Sequence, residues 1–101
     1  MQKLDQFINI LNEMLVYAEM ESTKINSGYF SKWNQKQLEN VVCPEINELL
    51  SFALKGKVFF KYGKKQRMLE STHLITDSLS ALDKTPLGSK ILELQKLFNS
   101  F

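Results

Sequence analysis

Leu4, Phe7, Ile8, Leu11, Met14, Leu15 and Ala18 return at steps of three and four residues. Only a helix gathers such positions onto one face, so this rhythm obliges the first part of the chain to coil and to bury one side. Ile10, Val16 and Tyr17 widen the apolar surface, so the helix is expected to have neighbours on more than one side. Its end is expected near Glu21 or Ser22, where β-branched and polar residues lead into the turn cluster Asn26-Ser27-Gly28.

The rhythm recurs. Leu38, Val42, Ile46, Leu49, Leu50 and Ala53 form a second face, with Val41 alongside and Pro44 in its path. An interior proline removes one backbone donor and clashes with the carbonyl four residues back, at a cost of about 3 kcal/mol. Because the apolar phase passes straight through Pro44, one kinked helix is the preferred reading. The alternative is a short helix followed by a new one with Pro44 at its first position, where Glu45 and Glu48 would face the positive end. Leu50, Ala53, Leu54, Val58 and Phe60 would carry this helix to about Lys61, with Gly63 as its left-handed stop. Val58, Phe59, Phe60 and Tyr62 have strand propensity, but no partner strand is evident and a lone strand leaves its backbone unpaired.

Met68, Thr72, Ile75, Leu79 and Leu82 make a third face, with Leu69 and Ala81 beside it. Thr85 then reads as a helix cap, with Pro86 at the first helical position, ahead of a fourth face of Leu87, Ile91, Leu94, Leu97, Phe98 and Phe101. Four amphipathic helices with short connections predict an all-α protein, a four-helix bundle of antiparallel up-down type with a kinked second helix. A length of 101 residues suits one domain spanning residues 1–101. Size and helix count resemble those of small bacterial helical bundles, bacteriocin immunity proteins among them. That likeness is one of architecture and transfers no residues.

The single cysteine, Cys43, closes no disulfide within the chain, which points to a reducing compartment. Polar residues interrupt every turn after Met1, unlike a secretory signal, and no apolar run approaches the roughly 20 residues that span a bilayer. A cytoplasmic protein is expected.

Few residues promise chemistry. Glu70, His73 and Asp77 share a helical face and could be read as a general base with its orienting carboxylate, or as a weak metal site. Pairs at this spacing also abound on ordinary solvated helix faces. Cys43 has neither a base nor a second thiol beside it in sequence, and reads as a small hydrophobe. The serines lack a nucleophile-elbow context, and the glycines match no phosphate-cradling fingerprint. The expectation is therefore a non-enzyme with no cofactor and no metal.

Two aromatic groupings remain. Tyr29, Phe30 and Trp33 crowd one connection, either folding back to cap the core or forming an exposed binding surface. In the stretch from Lys55 to Arg67, six cations surround Phe59, Phe60 and Tyr62, and no acid lies between Glu48 and Glu70. Lys57, Lys61, Lys64, Lys65 and Arg67 with these rings could meet nucleic acid or an anionic lipid surface, or could simply be the solvated side of a helix end. A net charge of +2 is low for a dedicated nucleic-acid binder. The leading expectation is an unidentified protein partner, contacted through Tyr29, Phe30, Trp33 and the cationic segment, by a regulator, adaptor or antitoxin-like protein. Nucleic acid or anionic lipid is the alternative. Heptad-like spacing on the third and fourth faces also allows a homodimer.

Overall fold

The computed structural model describes residues 2–56, 68–77 and 81–101 of the chain. Every regular element among the described residues is helical, and there is no strand. Helix α1 spans Lys3–Asn26 and turns Phe7, Ile10, Leu11, Met14 and Ala18 inward. It runs past the expected end near Glu21 because Glu21 and Ile25 keep to the inward phase and are withdrawn from solvent. The true stop is Gly28, at φ +80°. Its N–H donates to the Ile25 carbonyl at 3.2 Å and that of Tyr29 to Lys24 at 2.8 Å. This is the paired closure of a Schellman ending, which needs a left-handed residue and so favours glycine.

Asn34 opens the second helical stretch. Its side chain accepts from the Gln37 N–H at 2.8 Å, while the Gln37 side chain accepts from the Asn34 N–H at 2.9 Å. That reciprocal capping box starts α2 (Gln35–Gln37), which continues as a π-helical segment (Leu38–Val42) and then α3 (Cys43–Ala53). Val42 and Cys43 keep right-handed helical dihedrals, so the helical backbone passes Pro44 without a break. The wider i→i+5 spacing lies immediately before the proline, where a tighter turn would press a carbonyl against its ring. Helix α3 ends at Ala53, short of the expected continuation to Lys61. Leu54 is already 68% exposed, and Gly56 takes the positive φ (+79°) expected of Gly63. Residues 57–67, Gly63 included, lie outside the described residues.

Helix α4 (Glu70–Asp77) follows Leu69, whose side chain cannot cap it. Leu69 is fully buried while Met68 is 45% exposed, so the inward face starts one position later than the sequence spacing suggested. The open backbone donors are closed from other helices. The Glu45 carboxylate of α3 accepts from the N–H groups of Glu70 (2.7 Å) and Ser71 (2.9 Å). The Gln95 side chain accepts from the Leu69 N–H at 2.7 Å. Leu82, expected on the α4 face, belongs instead to a separate 3-10 turn (Leu82–Lys84) entered through left-handed Ala81; Leu79 is outside the described residues.

Thr85 and Pro86 start α5 (Pro86–Phe98) as expected, the Thr85 hydroxyl accepting from the Gly88 N–H at 3.0 Å. Gly88 is required by packing: a Cβ there would fall 1.8 Å from the Leu82 carbonyl oxygen. Helices α1 and α5 run in opposite directions. Lys3 donates to the Ser100 carbonyl, Phe7 packs on Phe98 and Phe101 with ring centroids 6.1 and 5.4 Å apart, and Glu13 meets Lys90 at 2.8 Å. The buried apolar side chains of all these elements, with Trp33 among them, form one cluster.

Glu45→Ala is expected to lower the unfolding free energy by about 2–4 kcal/mol, since two helix-terminal donors lose a charged acceptor inside the fold. Glu45→Gln, which keeps an acceptor oxygen, should recover part of the loss. Urea denaturation followed by Trp33 emission measures both.

Candidate functional site

The connection between α1 and α2 is built from two kinds of residue, and they face opposite ways. Trp33 is 2% exposed and belongs to the core, whereas Tyr29 and Phe30, four and three positions earlier, are 72% and 83% exposed. Of the three rings that could have capped the core, one does so.

Trp33 is held at both ends. Its indole Nε1–H donates to the Thr85 hydroxyl at 3.1 Å, and its backbone N–H donates to the Ser31 hydroxyl at 3.1 Å. Ser31 in turn donates to the buried Glu21 carboxylate at 2.7 Å, which also takes Lys24 at 3.1 Å. Thr85 donates to the Leu82 carbonyl at 2.6 Å while accepting from Trp33 and Gly88. One hydroxyl thus uses its donor and both acceptor positions. Ser22 and Gln35 add a further hydrogen-bonded tie between α1 and α2.

The outward course of Tyr29 and Phe30 has a local cause. In a Schellman ending the second residue past the cap normally rests on an apolar residue in the helix's last turn. Here that residue is Tyr29, and the positions beneath it are Thr23 and Lys24. Neither is the apolar residue on which such a ring normally rests. Two adjacent aromatic side chains therefore project from a loop whose two ends are fixed. On the outer side of α1, Val16 (56% exposed) and Met20 (50%) stand one turn apart and lead along the helix toward this tip.

The remaining expected site residues divide as follows. Lys57, Phe59, Phe60, Lys61, Tyr62, Lys64, Lys65 and Arg67 lie outside the described residues. Glu70, His73 and Asp77 are all exposed. They line a shallow cleft of about 270 Å³ with Gln37, Val41 and Leu74, and no group of three or more His, Cys, Asp or Glu side chains among the described residues is placed to hold a metal ion. Cys43 is half-buried. Burial, with the Glu19 and Glu39 carboxylates adding to it, pushes its thiol above the ordinary range. No helix among the described residues is long and apolar enough to cross a membrane.

Three residues that shape the site were not singled out from the sequence. Glu21 and Glu45 occupy inward phases of their helices, three positions after Ala18 and Val42. An acid on an apolar face is a signal of a buried acceptor. Asn34 with Gln37 three residues later, ahead of an apolar run, is a capping signature. Comparison of the chain with protein-family models, curated proteins and solved structures gives no match.

Thr85→Val preserves side-chain shape but strands the Trp33 indole N–H and the Gly88 N–H, so a loss of about 2–4 kcal/mol is expected. Acrylamide quenching of Trp33 should rise in the same variant, because the indole loses its anchor. For Cys43, alkylation in the folded protein at a pH near the ordinary thiol pKa should be slower than in the denatured protein, which rate measurements in and out of urea would check. The sign for stability follows: a raised folded pKa stabilises below the unfolded value, and that contribution is lost as pH rises through the folded one.

Proposed function

We propose that this chain is a small, non-catalytic helical-bundle protein that acts in the cytoplasm by binding another protein, as a regulator, adaptor or antitoxin- or immunity-like partner. Its architecture in this reading is an up-down four-helix bundle with a second helix kinked near Pro44. The observation that carries the functional reading is the pair Tyr29 and Phe30, 72% and 83% exposed on a loop anchored by Gly28 on one side and Trp33 on the other.

Physical chemistry favours contact with a partner over a purely structural role. Aromatic residues are the commonest interface anchors, since each covers a large area while few rotatable bonds are immobilised. Fixing the loop before contact reduces the ordering cost of association. Two rings alone fall short of the roughly 800 Å² per partner that a standard interface buries, so the contact must spread beyond the tip. Val16 and Met20 on one side are suited to that spread, and residues 57–67 are the second proposed contact.

Tyr29→Ser/Phe30→Ser removes the rings without touching a buried group, so the unfolding free energy should stay within about 0.5 kcal/mol of the parent. Affinity capture from the native host with parent and variant, compared by quantitative mass spectrometry, should then recover at least one protein with the parent alone. Identical recoveries from two equally folded baits would remove the reading.

A further inference from the structure

The charge around the tip identifies the chemistry of the partner, an inference that rests on the reading above that Tyr29 and Phe30 dock on a protein. Between Glu21 and Glu39 the chain carries Lys24, Lys32 and Lys36 and no carboxylate. This is a cationic island in an acidic half, because residues 1–54 hold four Lys against seven Asp or Glu. Lys24 is committed to Glu21 at 3.1 Å. Lys32 and Lys36 are exposed, and neither pairs with an acid among the described residues.

The island adjoins a groove. Lys36 lines a shallow depression of about 550 Å³ with Asn34, Gln35, Gln37, Asn40 and Val41. It begins one residue after Trp33, beside the loop that carries the tip. Its exposed lining is mostly apolar, with Lys36 the one cation on it, while the Asn34 and Gln37 side chains are held in the capping box and the Gln35 amide bonds to Ser22 and Glu39. Beyond Gln37 and Val41 the neighbouring cleft carries Glu70 and Asp77, so the polarity of this surface runs from cationic at the tip to anionic at α4.

We propose that the tip and the adjoining groove receive an acidic, extended segment of a partner protein. In this arrangement apolar side chains of the segment pack on Tyr29 and Phe30, and its Asp or Glu residues face Lys32 and Lys36. Rings supply contact area, while the lysines set orientation and reject basic partners. A planar anionic membrane fits less well. It extends far past the screening length of about 8 Å, and so brings the exposed Glu19 of α1, next to Met20, against like charge. Nucleic acid fits less well too, since its affinity grows with the number of phosphates neutralised, and among the described residues the tip and groove offer two lysines not paired with an acid.

Selection of a displayed random-peptide library on the immobilised full chain tests the inference. Recovered peptides should join Asp or Glu to aromatic or aliphatic residues, and should lose binding to Tyr29→Ser/Phe30→Ser. Binding should weaken about tenfold or more with Lys32→Glu/Lys36→Glu and fall as salt rises. Helical circular dichroism and Trp33 emission confirm that both variants are folded. Peptides that need the rings but show no acidic enrichment, and bind the charge-reversed chain equally, overturn the inference while leaving protein docking in place. A selection that returns no ring-dependent peptide counts against both. Parallel arms use phosphatidylcholine vesicles with and without phosphatidylserine, and a single-stranded oligonucleotide. Ring-dependent binding in one of those arms, without acidic peptides, would reassign the tip to lipid or nucleic acid.

Discussion

The Glu45 carboxylate is the joint on which the arrangement of helices turns. Nucleating a helix costs more than its first turn of hydrogen bonds returns, so the donors at its start have to find partners. Helix α4 is directly preceded by Leu69, which offers no capping atom. Its first donors are nevertheless satisfied, two by Glu45 from α3 and one by Gln95 from α5. The start of the element is thus fixed by tertiary contacts and not by a cap of its own. The carboxylate in turn is tolerable in a buried position because it faces the positive end of the helix it closes.

The same device recurs at the opposite end of α5. Thr85 caps its own helix, as its sequence context predicts, but its hydroxyl also receives the Trp33 indole and so locks the α1–α2 loop to the start of α5. Gly88 allows the close approach by leaving room for the Leu82 carbonyl. Cap, indole and glycine depend on one another, and disturbing one member transmits strain to the loop that carries Tyr29 and Phe30.

Periodicity made the long elements legible. The inward rows of α1, α3 and α5 are those that the three- and four-residue spacing picked out, since burial of one face is what that spacing encodes. It erred at ends. The first helix was expected to end near Glu21 or Ser22, where β-branched and polar residues follow, yet Glu21 is the buried acceptor for Ser31. Met68 and Leu82 looked like members of one helical face, yet one precedes α4 and the other follows the left-handed Ala81. Ends are set by which carbonyl or N–H finds a partner, and those partners came from residues distant in sequence. The candidate site was half legible: three rings in one connection drew attention to it, but their division into one buried and two exposed depends on Thr85, 52 residues from Trp33.

That division separates two roles that a single aromatic cluster might have blurred. A ring placed in the core stabilises the fold, and a ring placed in water does not, so selection for stability alone gives no reason to hold Tyr29 and Phe30 outward. The loop nonetheless fixes them there, with a left-handed glycine before them and, after them, Ser31, whose hydroxyl donates to Glu21 and accepts from the Trp33 N–H. Polar residues beneath Tyr29 deny it the apolar rest that such a helix ending normally supplies. A loop built to be rigid around groups it leaves uncovered is best explained by what those groups meet, and the two lysines beside them, unpaired with any acid among the described residues, give that meeting a sign.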